Sequence, residues 1–277
     1  MIPNSPFRIV RFLSVLAIAS GLAAVPRAGY AQSGAPQKID IGNLPADVVD
    51  DVIIPIPQEI FASLDKLGNQ NWKSHLLRKD VDLDANRSRT AFLFGLVISE
   101  GFIAVQAEDR DEVKRAGREV LRLAGALGVK SEVEGHALAI IDGANAGEWS
   151  GVRRELDRTR QTVIDTMEKQ RDKEFADLVS IGGWLGGTRA LAALVSDRYS
   201  ADAAELLHQP DLLDQISRRF AGLSDRARIG AIFERVTQTL DALKPLMRTN
   251  GDGNVPAEAV GKIESLTTDL TNAVYGN

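Results

Sequence analysis

The chain has 277 residues, 44% of them hydrophobic, and a formal charge of −5, so it is long enough to bury a real core. It has no cysteine, which excludes disulfides, thiolate metal sites, cysteine nucleophiles and a lipoprotein anchor. Its three histidines, His75, His136 and His208, lie far apart, and an acidic chain without a basic stripe is a poor fit to nucleic acid or anionic lipid.

Residues 1–31 read as a secretory signal peptide. Arg8 and Arg11 make a basic start, Phe12 to Val25 an apolar run, and Gly29-Tyr30-Ala31 supplies small residues before a cut after Ala31. The apolar run is well short of the roughly 20 residues that span a bilayer. Cleavage would remove three arginines and no acid, leaving a mature charge of about −8. The expected destination is the periplasm, with secretion beyond the outer membrane open, and no membrane span is expected after cleavage. Residues 32–44 read as a flexible polar linker, and 45–277 as a single all-α domain.

In chain order, Pro55 and Pro57 interrupt any helix through Ile54–Ile56. Ile60, Phe61, Leu64 and Leu67 form an apolar face that stops at Gly68. Asn69 to Leu77 reads as a turn followed by a short amphipathic piece. Asp80 to Asn86 has acids at alternate positions, but Ala85 and Ala91 occupy the places of a calcium loop's Gly and bidentate Glu. Asp84 or Asn86 is instead expected to cap the next helix.

That helix, 87–106, is the element around which the rest is organised. Ala91, Phe92, Leu93, Phe94, Leu96, Val97, Ile98, Phe102, Ile103 and Val105 fall on every side of its helical projection. A helix apolar all round belongs inside the protein. A capping box at Asp109–Glu112 opens a helix to Gly128. A second box at Ser131–Glu134 opens one that ends near Gly143. A charged helix with a narrow apolar stripe, Val152, Leu156, Val163 and Met167, follows to about Lys173. DEVKRAGREV and GEWSGVRREL, 36 residues apart, echo each other in the manner of stacked tetratricopeptide-style hairpins, without that family's full signature. The core hairpins are placed at 84–222 and the C-terminal helices at 224–273. Within these, Lys173–Ser196 is apolar, Ser200 and Ser224 are caps, Pro210 is a restart, and Pro245 is a stop. Asn250 to Asn254 resembles a dockerin-type calcium loop, but Arg248 stands at the first ligand position. The fold class is therefore a helical array of antiparallel hairpins around a buried central helix.

Two features look out of place. Glu100 sits among apolar residues in the central helix. An unpaired buried carboxylate costs several kcal/mol, roughly, so it should face a cavity, meet a cation or be neutral. Arg189 is the expected cation. Gly182, Gly183, Gly186 and Gly187 lie inside a helical pattern, each costing about 1 kcal/mol against Ala. Either they admit a neighbouring helix at close range, or the helix breaks there and exposes N–H groups beside Arg189 as an anion nest. Trp184 lies between them. Glu132/His136 and Glu205/His208 have helical spacing, but a di-iron bundle needs two Glu-x-x-His copies, so they read as surface pairs. No nucleophile elbow, phosphate loop, dinucleotide fingerprint or zinc-protease motif is present. The expectation is a non-catalytic binding or interaction module without cofactor or metal. It would take a partner protein, peptide or small ligand in an inter-helix groove near Glu100, Trp184, Arg189 and the four glycines. The alternatives are an envelope enzyme or metal-binding protein using Glu100 with His136 or His208, and a structural or stress-related factor with no pocket.

Overall fold

The computed structural model describes residues 46–49, 52–55, 71–83, 86–248 and 254–276, all within one unit, 38–277. The expected signal peptide, the linker, the 60–67 face and the 250–253 turn lie outside the described residues. Among the described residues the protein is all-α apart from a short antiparallel hairpin, β1 (Ala46–Val49) and β2 (Val52–Pro55), in which Ala46 pairs with Pro55. The hairpin is too short to have shown sustained alternation in the sequence.

Helix α1 (Arg87–Gln106) has the expected limits, and every residue from Thr90 to Val105 is buried. Asn86 caps it, its side chain accepting from the Ser88 and Arg89 amides. Helix α2 (Arg110–Leu127) starts at Asp109, which accepts from the Glu112 amide at 3.3 Å. Only half of the expected capping box forms, because the Glu112 carboxylate turns to Arg115 at 2.7 Å and Arg78 at 3.3 Å. Helix α3 (Lys130–Ala146) departs from expectation at both ends. It starts at Val129, whose buried side chain takes the cap position, so Ser131 sits inside the first turn and bonds only Glu132. It also runs past Gly143 to Gly147. Gly128 and Gly147 both adopt left-handed backbone at the helix ends, with φ of 79° and 75°, where a side chain would be strained.

Helix α4 (Trp149–Lys169) buries its predicted stripe of Val152, Leu156, Val163 and Met167. Links of two or three residues fold α1, α2, α3 and α4 back on one another in turn. Helix α5 (Lys173–Asp197) then returns to pack along α1. Contacts pair Phe92 with Gly182, Ser99 with Gly186 and Glu100 with Arg189, so α1 and α5 run parallel. Short α6 (Ala201–Glu205), capped by Ser200, leads into α7 (Pro210–Ala221). Helix α8 (Ala231–Leu246) starts later than expected: Ser224 caps only a turn, and Gly230 at φ 115° redirects the chain. Pro245 lies inside α8, one residue from its end, so the bond its missing N–H forgoes is confined to the last turn. Helix α9 (Ala257–Tyr275) packs on α5 and α8.

Both α1 and α5 are long and apolar enough to cross a membrane, yet 94% and 78% of those stretches is buried inside the protein. Their apolar surface is covered by neighbouring helices.

Candidate functional site

Glu100 does meet Arg189. Arg189 Nη2 donates to Glu100 Oε1 at 2.6 Å, with side chains only 5% and 4% exposed. The second carboxylate oxygen, Oε2, accepts from the Leu77 amide at 3.0 Å. The same Arg189 Nη2 also donates to the His75 carbonyl at 2.9 Å, while Arg189 Nε is buried without an acceptor. The pair thus faces outward from the α1–α5 seam onto a separate extended segment.

That segment, residues 71–83, is a strap. After a single 3-10 turn (Trp72–His75) it has no regular structure of its own. Helix side chains bind its main chain at intervals. Glu100 takes the Leu77 amide, Arg189 the His75 carbonyl, Arg115 the Lys79 carbonyl at 2.9 Å, and Arg122 the Val81 carbonyl. Arg115 and Arg122 are seven residues apart on α2, hence on one face. The strap's side chains are matched as well. Trp72 and Val81 are buried. Lys73 meets Asp109 at 2.9 Å, and Lys79 donates to Asn272 at 2.7 Å. Arg78 reaches both Asp109 and Glu112 and holds φ at 49°, a left-handed conformation that non-glycine residues rarely adopt. His75 Nε2 lies 3.0 Å from Asp197 without hydrogen-bond alignment. The Lys73 ammonium holds the Asp109 carboxyl below its usual range, against the opposing effect of burial. Burial, helped by the Glu100 charge, pushes the Tyr275 hydroxyl up.

The glycines divide into two groups. Helix α5 is unbroken through all four, so the anion nest is not formed. A Cβ on Gly182 would overlap the Phe92 carbonyl, and one on Gly186 would overlap the Ser99 hydroxyl. Gly95 on α1 meets α5 in the same way, against the Val179 carbonyl. A Cβ on Gly183 would make only an ordinary contact, 3.7 Å from the Gly95 carbonyl, and one on Gly187 would meet no neighbouring element within 4 Å. Trp184 is half-buried and turned elsewhere, its Nε1 donating to Gln209 Oε1 at 3.2 Å. Glu100, Arg189 and the close glycines therefore share one seam, while Trp184 faces the approach to α7.

His136 and His208 sit apart from this seam. His136 does not pair with Glu132 on its own helix. Its Nδ1 lies 2.5 Å from Glu155 Oε1, and its Nε2 lies 3.1 Å from Thr162 Oγ1, both on α4. The imidazole, then Arg158, lowers the Glu155 carboxyl below its usual range. This hydroxyl–imidazole–carboxylate chain has the connectivity of a nucleophile, base and orienting acid. His208 Nδ1 faces the Met247 carbonyl at 2.9 Å. Among the described residues no group of three His, Asp or Glu is placed to hold a metal ion. An apolar cavity of about 30 Å³ lies between α1, α2, α3 and α4, lined by residues that include Ile98, Gly101, Val113, Ile140 and Leu156. That is room for about two waters, far below the several hundred Å³ of a ligand pocket.

Comparison with family models, with curated proteins and with solved structures finds no match.

Proposed function

We propose that this chain is an exported, soluble, non-catalytic binding module of the periplasm, whose inter-helix groove takes an extended segment of a partner protein. One observation carries the reading: side chains from three helices grip main-chain groups of a segment with almost no regular structure of its own. Main-chain bonding along an extended chain, with pockets for alternate side chains, is a common way of holding a peptide. In this reading residues 71–83 occupy the groove as an internal stand-in. Export rests on the basic, apolar and small-residue order of 1–31. A mass spectrum of the mature chain tests it, with Gln32 expected at the N-terminus.

The binding reading is tested by panning random peptides against Leu77→Pro. That substitution removes the amide that Glu100 accepts, and Leu76, at φ −70° and ψ 127°, already has the backbone that precedes proline. Peptides that enrich on the variant over the wild type, and that a synthetic 71–83 peptide displaces, support the reading. No enrichment on a folded variant overturns it.

The Thr162–His136–Glu155 chain favours a second reading, an envelope hydrolase with Thr162 as nucleophile and His136 as base. Incubation with an activated ester, followed by peptide mapping, separates the two. Acylation at Thr162 that is lost in His136→Gln would support the hydrolase.

A further inference from the structure

The strap also carries a record of what the groove would select. Its three cations lie mostly outside, with Lys73 64% and Arg78 48% exposed, whereas the carboxylates they meet belong to the wall: Asp109 is 11% and Glu112 14% exposed. The strap also carries the exposed acids Asp80 and Asp82, so the cationic match lies at Lys73 and Arg78, which meet Asp109 and Glu112. Asp109 is fixed there because its other oxygen caps α2, and Glu112 is fixed by Arg115. With the strap gone, Asp109 would lose both of its cations, while Glu112 would keep Arg115. Next to them stand the guanidinium groups of Arg115 and Arg122, each having lost a carbonyl. A charge-assisted contact is stronger than a neutral one, so an occupant that returns a cation to Asp109 is selected over one that restores only the main-chain bonds.

We infer that the groove's partner is an extended cationic segment that begins with an aromatic anchor. The strap itself supplies the register: aromatic at Trp72, basic at Lys73, basic again at Arg78 and Lys79, and a small apolar residue at Val81. Each of these positions has a receptor in the helices. Trp72 is buried against the core, Lys73 and Arg78 meet Asp109, Arg78 also meets Glu112, Lys79 meets Asn272, and Val81 is buried beside the Arg122 contact. The net negative charge of the chain works in the same direction, drawing a basic segment toward it. The intact strap competes from within the same molecule, so a free segment must overcome an effective concentration in the millimolar range, about what a short tether produces.

This inference rests on the groove reading above, and its test separates the two. A fluorescent peptide of sequence 71–83 is titrated by anisotropy into full-length Leu77→Pro and into the wild-type chain. The same peptide with Lys73, Arg78 and Lys79 replaced by Glu is run beside it. The expected result is saturable binding to the variant, at least about tenfold tighter than to wild type, and at least about tenfold weaker for the charge-reversed peptide, a difference readily resolved in Kd. Equal binding of the two peptides overturns the cationic selectivity and leaves the groove standing. Binding of neither peptide, to a variant with native helix content, overturns both. A full-length Lys73→Glu/Arg78→Glu/Lys79→Glu chain gives a second acceptor if Leu77→Pro does not fold: its strap is repelled by Asp109 and Glu112 while its groove is unaltered. The same outcomes decide there.

Discussion

Glu100 and Arg189 each lose most of their hydration on folding, and each is compensated mainly by the other. Removing one partner leaves the other charged and buried, which costs about 3–5 kcal/mol. Removing both leaves neither. Glu100→Gln and Arg189→Gln should therefore each lower the urea midpoint sharply, and the double variant should lose clearly less than the two single losses combined. Simple additivity in chemical denaturation would mean that the 2.6 Å contact carries no energy of its own. Asp109 gives the complementary prediction in pH. Its folded-state carboxyl lies below the usual value of 3.8, chiefly because of the Lys73 ammonium. A depressed carboxyl contributes stability that is present above the ordinary value and lost as the pH falls through the folded one. The strap should loosen in that acid window and not at neutral pH. In a chain with Trp149 and Trp184 replaced by Phe, Trp72 emission should shift to the red below about pH 4. Replacing Asp109 with Asn should remove most of that dependence.

At the scale of elements, the α1–α5 seam depends on the absence of side chains at particular turns. Gly182 faces backbone, the Phe92 carbonyl, which cannot move aside without parting the helices. Gly182→Ala should destabilise by about 1–3 kcal/mol or more, as overpacking does. Gly187 has the same helical backbone and open space around it, so Gly187→Ala should stabilise by about 0.5–1 kcal/mol. Thermal unfolding of the two variants checks both signs at once, and equal effects would refute the seam. These elements were legible in the sequence for physical reasons. A helix apolar on all faces has only one place to go, so α1 could be placed to the residue. Glycines in a helical run pointed to either close packing or a break, and the close packing is realised at Gly182 and Gly186. Arg189 was identifiable as the partner of Glu100 because it lies on the same helical face as the apolar Leu185 and Ala192. The strap was not legible: the short amphipathic piece expected before Leu77 forms only the 3-10 turn Trp72–His75, and the strap's contacts join main-chain atoms to side chains far away in sequence. Arg115 and Arg122, spaced seven apart on α2, were the one signal of a line of bound carbonyls. The partner of His136 was hidden for a similar reason. Glu132 and Glu155 are both glutamates, and only the docking of α3 on α4 chooses between them.

For the whole molecule, the arrangement separates a deep part from a shallow one. Helices α1 and α5 are enclosed by α2, α4, α7 and α9, and their central amides can exchange only when the assembly opens. The strap lies over them, tied by a few polar contacts and two buried side chains. Native proteins open in units whose free energies range from near zero up to the global value, and a groove that serves a partner must be vacated without unfolding the chain. The Leu77 amide is the natural reporter, since its one bond is to Glu100. Native-state hydrogen exchange in low urea should show Leu77 exchanging through an opening of small urea dependence, while amides from Leu93 to Ile103 stay protected until global unfolding. The urea slope scales with the surface exposed, so release of the strap alone should give only a small fraction of the global slope. If Leu77 instead exchanges with the same free energy and slope as the centre of α1, the strap is inseparable from the core. The groove would then never be vacated in the native protein, and the Glu100–Arg189 pair would serve the architecture alone.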